Sequence, residues 1–205
     1  NATTPGAFLN FGGTNIYKAN QIEQISRAFT TGKVHEGDHI IFTDAWHPGI
    51  TNIKYMSELL GIKVITHALW HAGSYDPQDF LGRLINNAPW VRHAEKSFFH
   101  SYDHNYFATD FHVKLFFDEL LLDGNNEPTD MYNEAYNNRF NNGKIVRCGW
   151  PMEYVRKELE AFKGMTKRNL ILFPHRVAPE KQPEIFLDLK DTLTQYEFEI
   201  CMDKN

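Results

Sequence analysis

The alternation of apolar segments along this chain predicts an α/β fold, a parallel sheet with helices on both faces. Two observations carry that prediction. Short apolar runs rich in Ile, Val and Phe alternate with stretches of helical periodicity, in the rhythm of right-handed βαβ units. The chain of 205 residues is also 42% hydrophobic, which supplies apolar material for one full core and part of another.

The elements follow in order. Gly6 to Phe11 is apolar and breaks at Gly12-Gly13. Ile16, Ala19, Ile22, Ile25 and Phe29 then recur at helical spacing. His39 to Thr43 reads as a buried strand whose end is Asp44-Ala45-Trp46-His47-Pro48-Gly49. Ile53, Met56, Leu59 and Leu60 predict a helix closed by Gly61. Lys63 to His67 is a second strand, spilling into Ala68-Leu69-Trp70-His71-Ala72-Gly73.

A helix is expected near Pro77 to Ile85, a short strand around Lys96 to Ser101, and an aromatic core helix from Tyr106 to Leu122. Asp123 to Asn142 is Asn-rich and reads as a long loop. Lys144 to Gly149 is a further strand. Pro151 to Phe162 is a helix with proline in its first turn, where the missing N–H does no harm.

Lys163 to Arg168 has linker chemistry. Beyond it come strand Asn169 to Phe173, loop Pro174 to Pro179, helix Glu180 to Leu193 and strand Tyr196 to Met202. One βαβ unit cannot bury both faces of its own sheet. The expected organisation is therefore a domain at 1–166 and the opening of a second at 167–205, a piece that pairing with another copy through its edge strand would also shield.

Net charge −5 argues against a broadly basic nucleic-acid surface. No run approaches the ~20 apolar residues of a membrane span, and nothing at the start reads as a signal peptide. The first residue is Asn1, which implies a processed chain or a piece of a longer one. Cys148 and Cys201, in separate strand-like runs, read as buried thiols in the cytoplasm rather than a disulfide.

In an open parallel sheet ligands bind beyond the C-terminal strand ends, so the polar residues there are the informative ones. They are Gly12 and Gly13, Asp44 and His47, His67 and His71, then His100, Asp103 and His104, and finally His175 and Arg176. Histidines and carboxylates recur at one predicted edge.

Here the residues resemble a family. Asp38 to His47 is similar to the "D-I-I-H-x-H-D-W-H" segment of retaining glycosyltransferases of the GT-B fold, the glycogen synthase and family-4 type. Val64 to Gly73 looks like their "V-x-T-x-H-N-L-x-x-x-G", with His67 as the family histidine. Asn169 to Gln182 resembles "x-L-L-F-V-G-R-L-x-P-E-K-G", which opens the donor domain, although His175 and Gln182 replace its glycines. Gly12-Gly13 is in register with the N-terminal glycine loop.

The resemblance implies two Rossmann-like domains and sugar transfer, with retention, from a nucleoside diphosphate sugar to an acceptor glycan, lipid, protein or modified nucleic acid. It implies no metal and no cofactor. Arg176 and Lys181 would neutralise the diphosphate, with Gly12 and Gly13 approaching the phosphates. His67 would touch the donor sugar, Asp44 and His47 would line the acceptor side, and His71 and His175 would extend the cleft. The residues leave two other readings open. One is a metal-dependent hydrolase using the His/Asp-rich edge, and the other a non-catalytic binding module.

Overall fold

The computed structural model describes residues 10–85, 88–120, 142–150, 152–175, 177 and 181–201. The expected strand Gly6 to Phe11 (up to residue 9), the Asn-rich stretch (up to 141) and Arg176 lie outside them. The chain divides into two compact units, residues 1–150 and 151–205. The division falls before the Lys163–Arg168 stretch, so the helix that sequence periodicity attaches to the first domain clusters with the second.

The first unit runs α1 (Phe11–Thr30), β1 (His39–Phe42), α2 (Ile50–Leu59), β2 (Ile65–Trp70), α3 (Phe80–Ile85), α4 (Pro89–Ser101), β3 (His104–Phe107), α5 (Asp110–Leu120) and β4 (Ile145–Arg147). The second runs α6 (Glu153–Glu160), β5 (Leu170–Phe173), α7 (Pro183–Thr192) and β6 (Glu197–Ile200). Among the described residues the strand pairings are parallel, in a four-stranded sheet ordered β1-β2-β3-β4 and a two-stranded sheet β5-β6. The fold is α/β. No described helix is long and apolar enough to cross a membrane.

A sheet whose spatial order equals its chain order is wound in one direction. Right-handed crossovers then bring their helices to the same face. Burial follows that rule. Phe42, Thr66, Ala68, Trp70, Asn105, Phe107 and Ile145 are buried on one face, in one core with Phe98, Phe99, Phe116 and Phe117. The opposite row, His39, Ile41, His67, Leu69, His104 and Tyr106, keeps contact with solvent, and Ile41 is 72% exposed. The sequence pattern anticipates helices on both faces; among the described residues full cover belongs to one. The four strands also show no reversal of order, so no switch-point crevice forms among them.

Three elements differ from expectation. Lys96 to Ser101 is the second half of helix α4, not a strand. Pro89 stands at its start with φ preset for a helix, and Val91, Glu95, Phe98 and Phe99 form one buried stripe. The strand follows at His104–Phe107, so the aromatic helix begins at Asp110 instead of Tyr106. Strand β2 continues to Trp70, which moves its end from His67 to His71.

Gly12 and Gly13 are not a loop after a strand but the first turn of α1. The Asn10 side chain caps that turn by accepting from the Gly13 N–H at 2.9 Å, and a Cβ on Gly13 would stand 2.9 Å from the Asn10 amide nitrogen. The cysteines differ in burial: both are exposed, because each stands just beyond a short strand's end.

In the second unit Phe173, Phe186 and Phe198 pack together, while Glu197 and Glu199 both pair with Arg168 at 3.1 Å. Gln182, the N-cap of α7, has φ 52° and is the sole non-glycine residue with positive φ among those described. An L-residue pays about 1–2 kcal/mol for that conformation. Gln182→Gly is therefore expected to hold or raise the thermal midpoint of the chain. Gln182→Val, with its stiff branched Cβ, should lower stability by about 1–2 kcal/mol relative to Gln182→Gly in denaturant titrations.

Candidate functional site

Parallel pairing delivers the loops after β1, β2, β3 and β4 to one edge of the sheet. The β1 loop carries Asp44, Trp46 and His47, and the β2 loop carries His71. After β4 comes Trp150, whose ring meets that of His71 edge-on at 5.8 Å. Helix α1 passes beside this edge, and two adjoining clefts open against it. One, of about 360 Å³, is lined by Tyr17, Gln21, Ile22, Asp44 and His47, among others. The second, of about 270 Å³, is lined by Phe11, Asn15, Trp46, His71 and Ala72, among others. Thr14, Lys18 and Asp44 belong to both, so they form the common wall.

The hydrogen bonds decide what each side chain offers a ligand. Asp44 Oδ1 accepts from the Trp46 N–H at 3.0 Å, and Oδ2 lies 3.6 Å from Lys18 Nζ. Lys18 also donates to the Trp46 carbonyl, which fixes the ammonium beside the carboxylate. His47 Nδ1 accepts from the Gly49 N–H at 3.1 Å, so its proton resides on Nε2, which faces Gln21 Oε1 at 3.3 Å. Burial first, and the nearby Lys18 charge second, hold its pKa below the ordinary histidine value. His47 is thus a neutral ring with both nitrogens engaged, packed where α1 crosses the start of α2. A Cβ on Gly49 would meet Ile22 at 2.2 Å, so glycine sets that approach.

His71 differs. Its Nε2 is 2.7 Å from the Thr43 carbonyl, which can only accept, so Nε2 carries the proton. In the neutral form of this exposed ring Nδ1 then carries the lone pair. The edge therefore presents acceptors that include the Asp44 carboxylate and His71 Nδ1, with the Lys18 donor and aromatic surface from Phe11, Trp46 and Trp150.

Asp44 and His47 line one cleft, as the strand-end argument expects, and His71 lines the adjoining one with Asp44. His67 does not. It lies in the middle of β2 on the open face, with Nε2 2.8 Å from His39 Nδ1 and Nδ1 3.0 Å from the Tyr106 hydroxyl. Its ring stacks on His39 and His104, with centroids 5.0 and 4.8 Å away. Burial, then the His104 and His39 neighbours, lower its pKa.

His100, Asp103 and His104 stand at the opposite edge, because β3 begins where they were expected to follow a strand. There Asp103 accepts from the Thr66 N–H (2.8 Å), the Thr66 hydroxyl (2.9 Å) and Lys54 (3.0 Å). Burial alone would raise its pKa, but these donors more than offset it and hold the carboxyl low. Among the described residues no group of three or more His, Cys, Asp or Glu side chains converges to hold a metal ion. Gly12 and Gly13 adjoin Phe11 and Thr14 of the cleft wall. In the second unit His175 is exposed beside Phe173, and Lys181 is exposed just before α7.

The residue that sequence reasoning missed is Glu95 of α4, fully buried at 0% exposure. Its Oε1 accepts from Trp46 Nε1 (2.8 Å) and the Ser74 N–H (2.7 Å), and its Oε2 from the Ser74 hydroxyl (2.6 Å). The available signal was a glutamate inside a Val91/Glu95/Phe98/Phe99 stripe, a charge at a core position.

Four histidines have pKa values lowered chiefly by burial: His47, His67, His100 and His112. The unfolded chain therefore binds protons more readily than the folded one just below the ordinary value of 6.5. Stability from these groups is present above that pH and lost as pH falls through it. The thermal midpoint is expected to drop between about pH 7.5 and 5.5, and His67→Gln should flatten that drop. A midpoint that rises on acidification would contradict these assignments. Comparison with family models, with curated proteins and with solved structures returns no match.

Proposed function

We propose that the chain is part of a glycosyltransferase of the GT-B type, whose first unit holds the acceptor and whose second begins the nucleotide-sugar domain. The observation that carries this reading is the pairing of Asp44 and His71 Nδ1 on one cleft edge with Lys18 and aromatic surface. Two acceptors and a cation within a partly aromatic cleft suit a ligand that presents several hydroxyl groups. A sugar hydroxyl donating to Asp44 or His71 would also have its proton drawn off as it attacks, the office of a general base. On this reading His71, rather than His67, is the histidine that meets substrate.

Support comes also from the second unit. The resemblance places a glycine after Pro-Glu-Lys, and Gln182 stands at that position with its backbone in the left-handed region that glycine favours. Lys181 precedes the start of α7, where a cation and helix N–H groups suit a departing diphosphate.

The test is transfer from labelled nucleoside diphosphate sugars to simple glycoside acceptors, using the longest form of the protein that contains these residues. Asp44→Asn, Lys181→Ala and Arg176→Ala are each expected to cost about 2–4 kcal/mol of transition-state stabilisation, roughly 30- to 1000-fold in rate. His67→Gln should leave the rate within about threefold, since less than about 0.7 kcal/mol is at stake for a group off the cleft. Transfer should persist in EDTA. Failure to transfer from any donor, or an unchanged rate in Lys181→Ala, would overturn the reading.

A further inference from the structure

A carboxylate buried in a core is costly unless it is held by hydrogen bonds that matter elsewhere. Glu95 belongs to α4, yet all its described bonds go to two other segments. Trp46 is in the β1 loop two residues after Asp44. Ser74 is in the β2 loop three residues after His71. The carboxylate stands between the two loops and bonds to both. Space confirms the fit: a Cβ on Gly73 would lie 2.6 Å from Glu95 Oε1, so only glycine lets the β2 loop come this close. The β1 loop is anchored further by the Tyr102 hydroxyl at the end of α4, which donates to the Ala45 carbonyl at 3.0 Å, and by the Ala45 N–H, which donates to the Leu69 carbonyl of strand β2 at 2.9 Å.

We propose that Glu95 is a positioning residue of the cleft: its shared carboxylate fixes the separation of the β1 and β2 loops, and through them that of Asp44 and His71. The ligand class rests on the acceptor reading above, whereas the loop geometry does not. A carboxylate suits this task better than an amide because both oxygens accept, so three donors from two loops are satisfied at once.

Protonation of Glu95 should act on this strap. Burial raises the Glu95 pKa, and the Ser74 and Trp46 bonds offset that only in part. The charged and titratable groups around it are Arg92 on α4 and Tyr75 in the β2 loop, with His112 of α5 bonded to Tyr75 at 2.7 Å. A neutral Glu95 has one fewer acceptor oxygen for these donors and costs the core less, so its protonation should loosen the two loops.

Glu95→Gln tests this, since it keeps the side-chain length and one acceptor oxygen. In amide and indole hydrogen exchange followed by NMR, the Ser74 N–H and the Trp46 indole N–H should exchange at least about tenfold faster in Glu95→Gln than in wild type, with α4 and β3 unchanged. In wild type the Trp46 indole shift should follow a carboxyl titration above the usual glutamate range, which the variant lacks. Methyl glucoside, galactoside and mannoside serve as probes, with binding read from the His71 ring signals, and the affinity should fall about tenfold in the variant. Wild-type exchange rates in Glu95→Gln, or an indole shift indifferent to pH, would overturn the proposal. Absence of sugar binding in wild type alongside accelerated loop exchange would instead remove the acceptor reading and leave Glu95 standing. If Glu95→Gln does not fold, Ser74→Ala deletes just the hydroxyl bond; unaltered Trp46 indole exchange there would also overturn it.

Discussion

One buried carboxylate joins the two loops that border the cleft edge of this protein. Strand ends bring the β1 and β2 loops near each other, but a parallel ladder fixes only the backbone up to its last hydrogen bond. Beyond Phe42 and Trp70 the join is made by single bonds, His71 Nε2 to the Thr43 carbonyl, the Ala45 N–H to Leu69, and those of Glu95. Glu95 joins them through Trp46 and Ser74, and its own helix is seated by Val91, Phe98 and Phe99 in the aromatic core. The cleft geometry therefore inherits the rigidity of that core. This is a costly arrangement, because the desolvation of the carboxylate persists alongside its three bonds. Such a cost is commonly met where a site must be held in one geometry.

The second organising constraint is direction of winding. Strands laid down in chain order leave a sheet covered by crossover helices on one face and half-open on the other. The open face explains an otherwise odd concentration of imidazoles. His39, His67 and His104 occupy neighbouring strands of the same row, so their rings stack across the ladder at contact distance. Hydrogen bonds run from His39 Nδ1 to His67 Nε2, from His67 Nδ1 to the Tyr106 hydroxyl and between His104 Nδ1 and the Gly143 carbonyl. The sheet face and its register bring these histidines side by side.

The two edges of the sheet also divide the polar work. At the start of the strands, Asp103 clamps Thr66 and Lys54, and Lys144 donates to the His100 and Tyr102 carbonyls. Burial brings the Lys144 ammonium down to about 8. Those groups satisfy one another. At the far edge, Asp44 and His71 keep acceptor capacity facing outward. A polar residue's place along the strand, more than its type, separates structure from candidate chemistry here.

The sequence by itself determined the α/β class, because apolar runs and helical periodicity are local properties that survive without knowledge of partners. It also placed Asp44 and His47 at a strand end, since Asp-Ala-Trp-His-Pro-Gly stops an apolar run by its own chemistry. The tertiary structure decided the rest. Whether Lys96–Ser101 is strand or helix depended on a stripe containing Glu95, which looks apolar only once Trp46 and Ser74 are seen to satisfy it. Whether His67 or His71 ends β2 depended on pairing with β3, which carries the ladder through Trp70 to Phe107. Strand order, and with it the open histidine face, depended on which neighbours each strand chose. Those choices are set by packing between segments distant in the chain, and no local pattern records them.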